Sequence, residues 1–413
     1  MADSSTDSRP VIVAGLGRLG LRLVTILRER GHAVRVITDA SVLPWQERLA
    51  REAGAKLFCG DFRDPEVWVQ AGVQECQAAV VTSADDSRNL ETGIRIKRLA
   101  PDLRMVTRVD APHLGHRLHR DFGLTAALSP AALSAGHFAK AALETSESAP
   151  PPPAKRPALT GNRHHWQVIV LVLLATSVIS GTLVFHFAKD LPWMDALYFT
   201  VTIMATVGFG DFNLAQDPAW LKAFGIFMML SGVTLFALLV SLFSHFLLTG
   251  EATRQQQEWS ARRQRRHVIV AGMGTLGNAV VRDLHGRGVP VVCVESDPVA
   301  ASEAARQHRA AVITGDATEA ETLLRAGIDQ ARALLAVTSA DGANLEIALR
   351  ARSLADTHRP SAPLPVIIAC QDELLAARLR SAGNDYFPLS SADLAAPVMA
   401  DAALGIAHGH HHS

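Results

Sequence analysis

Short apolar runs alternate with amphipathic stretches at both ends of the chain, and two long apolar runs stand between them. In the first half, Ala33–Ile37, Ala78–Val81 and Arg104–Thr107 read as buried strands, while Leu19–Arg30 and Ser87–Leu99 carry apolar residues at helical spacing. Strands that alternate with helices predict a parallel sheet covered on both faces. The pattern then recurs. Val11-Ile12-Val13-Ala14-Gly15-Leu16-Gly17-Arg18-Leu19-Gly20 returns as Val268-Ile269-Val270-Ala271-Gly272-Met273-Gly274-Thr275-Leu276-Gly277. Downstream, Gly60-Asp61 returns as Gly315-Asp316, Ala71-Gly72-Val73 as Ala326-Gly327-Ile328, and Val81-Thr82-Ser83-Ala84-Asp85 as Val337-Thr338-Ser339-Ala340-Asp341. Asn89-Leu90-Glu91 returns as Asn344-Leu345-Glu346. One soluble unit is therefore present twice.

The insert between the copies has a different character. Trp166–Phe187 contains no Asp, Glu, Lys or Arg and matches the roughly 20 residues that a bilayer-spanning helix needs. Trp220–Leu248 is longer, holds Lys222 near its start, and spans with some tilt. A buried helix of a soluble enzyme is the alternative for either run alone, and two side by side count against it. Basic residues flank the outer ends of the pair: Arg163 before it, and Arg254, Arg262, Arg263, Arg265 and Arg266 after it. The positive-inside rule places both ends, and hence both soluble units and both termini, in the cytoplasm of a cell bounded by this (inner) membrane. The boundaries so read are a first unit at 10–145, a linker at 146–162 containing Pro150–Pro153, a membrane module at 163–249, a connecting segment at 250–265, and a second unit at 266–404. The proline run favours an extended, semi-rigid conformation.

Composition adds exclusions. Hydrophobic residues make up 48% and charged residues 19%, with zero net charge, so no global field points to nucleic acid. The four cysteines, Cys59, Cys76, Cys293 and Cys370, have no zinc or Cys-x-x-Cys spacing and read as small buried apolar residues in a reducing compartment. Met1–Arg9 is polar and lacks the apolar core of a signal peptide. The terminal His408-Gly409-His410-His411-His412 run, native or added, is set aside. No regularly spaced basic helix lies within the spans to sense voltage.

The loop between the spans carries the chemistry. Trp193–Thr206 is largely apolar and predicts a short re-entrant helix, after which comes Thr206-Val207-Gly208-Phe209-Gly210-Asp211. This hexapeptide resembles the selectivity filter of K⁺ channels, in which Tyr is usual at the position of Phe209. Thr200–Ala205 resembles the end of that family's pore helix. The resemblance implies that the carbonyls of Thr206, Val207, Gly208 and Phe209, with the Thr206 hydroxyl, replace the water around a permeating K⁺. Gly208 and Gly210 permit the backbone angles required. Asp211 would support the filter at the outer mouth and attract cations. Four copies must surround the axis, so the implied assembly is a homotetramer in a lipid bilayer. Gly232, in the middle of the second span, is a candidate gating hinge; close helix packing is the alternative.

Both soluble units resemble RCK domains, also called KTN or TrkA-N-like domains. The resemblance rests on the glycine-rich turn, the Gly-Asp, the Ala-Gly-(Val/Ile) and the Thr-Ser-Ala-Asp. It implies Rossmann-like cores that assemble into a gating ring. The larger C-terminal lobe that many members add is unmatched. Gly15, Gly17 and Gly20, and Gly272, Gly274 and Gly277, form Gly-x-Gly-x-x-Gly turns between strand and helix, where backbone amides face a pyrophosphate. Arg18 would pair with phosphate and Glu295 with ribose hydroxyls; Asp39, Asp61, Thr275 and Asp316 complete the candidate nucleotide residues. NAD(H) or an adenine nucleotide, ATP or ADP, is the implied ligand. A purely structural role for the glycines is the alternative. Some RCK channels take Ca²⁺ on a Glu-x-Glu pair; here Arg108 and Asp110, and Cys370 and Asp372, keep one carboxylate each, which disfavours Ca²⁺. His113, His116 and His119 read as partly solvated helix positions rather than metal ligands.

The expected fold class is therefore an α-helical tetrameric ion-channel pore module flanked by two α/β Rossmann-like RCK domains, serving a ligand-gated K⁺-selective channel and not an enzyme. The rivals are a membrane-anchored NAD(P)-dependent oxidoreductase, for which no base or substrate domain is found, and a regulatory subunit of a K⁺-uptake transporter, which would have no spans.

Overall fold

The computed structural model describes residues 9–39, 42–111, 120–147, 165–249, 260–261, 263–360, 362–383 and 385–406. The proline run, His113, His116, His119, most of the connecting segment and the terminal histidines lie outside the described residues.

The first lobe runs β1 (Val11–Ala14), α1 (Arg18–Glu29), β2 (Val34–Thr38), α2 (Pro44–Glu52), β3 (Lys56–Cys59), α3 (Pro65–Gln70), β4 (Ala78–Val81), α4 (Asp86–Leu99), β5 (Arg104–Arg108), β6 (Ala126–Leu128) and α5 (Pro130–Glu147). Its strands form one parallel sheet in the order β3-β2-β1-β4-β5-β6. Val11 stands beside Val34 on one side and Ala78 on the other. Every residue of β1 and β4 is buried, because helices cover both faces; this is why these strands read as unbroken apolar runs. The aspartates that start α3 and α4, Asp64 and Asp85, accept backbone N–H bonds from Glu66 and Arg88 and so satisfy donors the helices leave open. Cys59 departs from the sequence expectation. It ends the edge strand β3 and is exposed, whereas Cys76, Cys293 and Cys370 are buried.

The second lobe repeats the plan with β7 (Val268–Ala271), α9 (Thr275–Gly286), β8 (Val291–Glu295), α10 (Pro298–His308), β9 (Ala311–Thr314), α11 (Ala320–Arg325), β10 (Ala333–Ala336), α12 (Asp341–His358), β11 (Val366–Ala369), α13 (Glu373–Ser381), β12 (Tyr386–Leu389) and α14 (Ser391–Leu404). Its parallel order, β12-β11-β10-β7-β8-β9, is that of the first sheet read from the other edge. The lobes exchange their last helices. Phe138, Ala139 and Ala142 of α5 are buried in the second lobe's core with Val280, Val281 and Leu284. Ala395, Ala396, Met399, Ala400 and Ala403 of α14 complete the first lobe's core against Leu23, Val24 and Leu27. Arg22 pairs with Asp393 at 3.1 Å, Arg30 with Asp401, and the Arg104 guanidinium donates to the Leu404 carbonyl at 2.6 Å. The two lobes thus pack as one compact unit, and the central helices form another.

In that second unit, α6 (His165–Lys189) and α8 (Ala219–Thr249) flank the short α7 (Trp193–Met204). Phe185, Phe199, Ile203, Leu221 and Met228 pack between them. Two apolar stretches, Val168–Lys189 and Ala219–Ser241, are long enough to cross a bilayer, and only 17% and 22% of their most apolar windows are buried. A soluble protein would cover such helices; here side chains such as Ile169, Leu171, Phe227 and Leu230 point outward. The two helices fit a membrane protein with two spans.

Candidate pore and nucleotide sites

The loop after α7 has an alternating backbone. Thr206, Gly208 and Gly210 take φ of 58°, 53° and 82°. In an extended strand successive carbonyls point to opposite sides; alternating the backbone hand turns them toward one side. Glycine enters this region without steric penalty, whereas Thr206 does so at about 1–2 kcal/mol. The loop is tied at both ends. Thr206 and Val207 donate their N–H groups to the carbonyls of Ile203 and Thr202, at 3.2 and 3.1 Å. Beyond it, the Tyr198 hydroxyl bonds the Asp211 carboxylate, and the Tyr198 ring stacks on Phe209 with centroids 6.4 Å apart. Lys189 Nζ, at the end of α6, donates to the Asn213 carbonyl at 2.9 Å and pairs with Asp217. Val207 and Phe209 are 53% and 70% exposed in the single chain.

Gly232 lies where α8 crosses the end of α7. A Cβ there would stand 2.5 Å from the Met204 carbonyl oxygen, two residues before Thr206. This contact supplies a packing reason for the glycine. Gly181 does the same on α6, facing Thr200 Cγ2 at 2.5 Å.

The glycine turns of the two lobes superimpose in their detail. Gly15 and Gly272 take φ of 99° and 98°. A Cβ at Gly20 would stand 2.0 Å from the Gly15 carbonyl oxygen, and one at Gly277 would stand 1.9 Å from that of Gly272. The first and third glycines are thus demanded by helix–strand packing. The middle ones are not: a Cβ at Gly17 or Gly274 would meet nothing within 4 Å. Open space at the start of the helix is what close approach of a phosphate requires.

The acidic residues differ between the lobes. Glu295 is held between the glycine turn and its own, one oxygen accepting the Met273 N–H at 2.7 Å and the other the Asp297 N–H at 3.0 Å. Asp316 accepts both the N–H and the hydroxyl of Thr318 at 2.8 Å. In the first lobe, Asp39 and Asp61 are bridged by a residue the sequence reading passed over. Arg88 donates to Asp39 at 2.8 Å and to Asp61 at 3.1 Å, with its guanidinium 3.9 Å from the centre of the Phe62 ring. Arg63 also pairs with Asp61 at 2.6 Å and, with help from Arg88, holds that carboxyl well below the usual carboxylate range. A signal existed in the repeat: Asn89 and Asn344 match, so Arg88 corresponds to Ala343. Both asparagines tie the ends of neighbouring strands, Asn89 to the carbonyls of Ser83 and Arg108, Asn344 to those of Thr338 and Ala369.

Arg18 and Thr275 face the opposite lobe. Arg18 lines a cleft of about 620 Å³ with Trp45 on one wall and Gln371, Asp372 and Asp393 on the other. Thr275 lines a smaller cleft of about 310 Å³ with Gly274, Asp110 and Ser129. Asp110 pairs with Arg108 at 2.7 Å and accepts the Ser129 hydroxyl at 3.0 Å, and Asp372 caps α13. Among the described residues no group of three or more metal-ligating side chains converges.

Residues 11–130 and 268–387, the two lobes, both match the TrkA-N domain family and together make up more than half of the chain. The chain belongs to that family. Residues 170–249 match the ion channel family, so two TrkA-N domains flank a channel-type pore domain. The voltage-gated potassium channel Kch of Escherichia coli is 31% identical over 165 residues, 39% of each chain. A probable potassium channel protein of Methanocaldococcus jannaschii is 27% identical over 193 residues, 45% of this chain and 56% of that one. The chain therefore spans only about two fifths to just over half the length of these relatives. Among solved structures, the crystal structure of GsuK bound to ADP is similar with a TM-score of 0.54 at 16% identity, covering 97% of this chain and 70% of that one. At that identity the likeness is one of fold: Rossmann-like lobes on either side of a helical pore region.

Proposed function

We propose that the chain is one subunit of a homotetrameric, K⁺-selective channel of the cell membrane, whose cytoplasmic pair of lobes binds an adenine nucleotide and controls the pore. The observation that carries the reading is the backbone of residues 206–210, with positive φ at every second position in a loop held between two outward-apolar helices. Carbonyls aimed to one side are what a dehydrated cation needs, and one such strand cannot enclose an ion. The exposed Val207 and Phe209 then become surface for neighbouring copies. Kch and the Methanocaldococcus protein are named as potassium channels, which supports K⁺ as the permeant ion.

The open middle glycines and the ADP in GsuK support a nucleotide as the regulatory ligand. A ligand shifts the gate only by the difference in its affinity for the two states of the ring. That difference would reach the pore through the segment after α8, with eight lobes per tetramer available to form the ring.

The test is rubidium flux into liposomes containing the purified protein. Flux that is selective over Na⁺ and lost in Gly208→Ala is expected. Flux unchanged by that substitution rejects the filter. Absence of flux together with NAD(P)H-dependent turnover would favour an oxidoreductase instead.

A further inference from the structure

The two lobes carry the same glycine turn but opposite arrangements in front of it. In an open parallel sheet, ligands bind beyond the carboxyl ends of the strands, where the chain order switches direction. In the first lobe that point lies between β1 and β4. Arg88 starts from the first turn of α4, which follows β4, and reaches across to Asp39 after β2 and Asp61 after β3. Its guanidinium carbon lies over the Phe62 ring, 3.9 Å from the centroid. Both acidic candidates for nucleotide contact in this lobe are thereby paired with an internal cation, inside the crevice a nucleoside would enter. In the second lobe the same position is Ala343, whose side chain ends at Cβ and cannot reach the crevice. Glu295 is already oriented there by the Met273 and Asp297 amides.

We propose that Arg88 is an internal latch that closes the first lobe to nucleosides, so that each chain binds one nucleotide, in the second lobe. This rests on the nucleotide-binding reading above and goes beyond it by assigning the ligand to one lobe and the difference to one residue. The physical basis is competition for the same acceptors. A ribose hydroxyl is a neutral donor, so in displacing the guanidinium from Asp39 it would leave that carboxylate without the opposite charge it now faces. Arg88, bonded to two carboxylates and stacked on a ring, would have to leave all three partners together.

The middle glycines give a matched test that spares the fold, since a Cβ at either meets nothing within 4 Å. Each takes an ordinary negative φ, −67° at Gly17 and −69° at Gly274. An aspartate at either would repel a phosphate. The full-length protein in detergent is titrated with ADP, and separately with NAD⁺, by equilibrium dialysis. The expected result is one nucleotide per chain, lost in Gly274→Asp and kept in Gly17→Asp. Arg88→Ala should raise the number to two, and the added site should vanish when Gly17→Asp is combined with it. Two nucleotides per wild-type chain, or loss in Gly17→Asp with retention in Gly274→Asp, overturns the proposal. A count that stays at one in Arg88→Ala overturns the latch, because the first lobe would then be closed by something else. No binding of either nucleotide to any variant rejects the nucleotide reading itself, and the latch with it.

Discussion

At the scale of single residues, the contacts separate roles that one letter leaves merged. Gly232 was open to two readings, hinge and packing. Its neighbour is the backbone of Met204, at 2.5 Å from an added Cβ, and backbone cannot move aside as a flexible side chain can. Gly232→Ala is expected to push α8 off α7, at the 1–3 kcal/mol typical of overpacking, and to lower the thermal midpoint of the solubilised protein. An unchanged midpoint with altered open probability would instead identify a hinge. His308 offers a pH dependence. Burial, then the neighbouring His285 and Arg282, lower its pKa, so the folded lobe disfavours the imidazolium that the unfolded chain forms near pH 6.5. Stability is therefore complete above about pH 6.5 and falls as the pH drops below it. His308 bonds Asn278 at 2.8 Å, and Asn278 donates to the carbonyls of Met273 and Gly274, so the penalty falls beside the glycine turn. Melting curves should show a midpoint that falls as the pH drops below about 6.5, and falls less in His308→Gln.

At the scale of elements, the exchange of α5 and α14 makes each lobe depend on the other. Met399 is fully buried, yet its neighbours are Leu23, Val24 and Leu27 of the first lobe, far away in sequence. Removing a buried Met side chain costs about 2–5 kcal/mol. Met399→Ala should accordingly speed amide exchange in α1, and protection lost only within residues 266–404 would contradict the exchange. The two pocketed faces follow from the same packing: each glycine turn looks onto the end of the other lobe's fifth strand, which is how Arg18 comes to share a cleft with Asp372.

At the scale of the whole molecule, the proposals concern assembly and sidedness. The mass of the solubilised complex should correspond to four chains; a conducting monomer or dimer would refute the pore. Sidedness can be read at Cys59, the one exposed cysteine among the four. A membrane-impermeant maleimide should label it in inside-out vesicles and not in right-side-out ones. Labelling from the outside would place the lobes and the arginines that flank the spans on the outer side, against the positive-inside rule, and overturn the orientation.

The elements were legible in the sequence because their causes are local. A buried strand must be apolar at each position, a spanning helix must stay apolar for its full length, and a loop that turns left-handed does so most easily at glycines such as Gly208 and Gly210. Ala78–Val81 is a strand as read, Ser87–Leu99 lies within a helix that starts one residue earlier, and Trp166–Phe187 lies within α6. The glycine turns were equally plain, since each needs only a strand before it and a helix after. What tertiary structure alone decided is partnership over distance. Arg88 meets Asp39 and Asp61 because the order β3-β2-β1-β4 sets four strand ends side by side, and nothing in their spacing along the chain requires that. The exchange of α5 and α14 is likewise invisible in pattern: an apolar helix face shows that it will be covered, but two lobes of one topology each offer a surface, and only packing chooses between them.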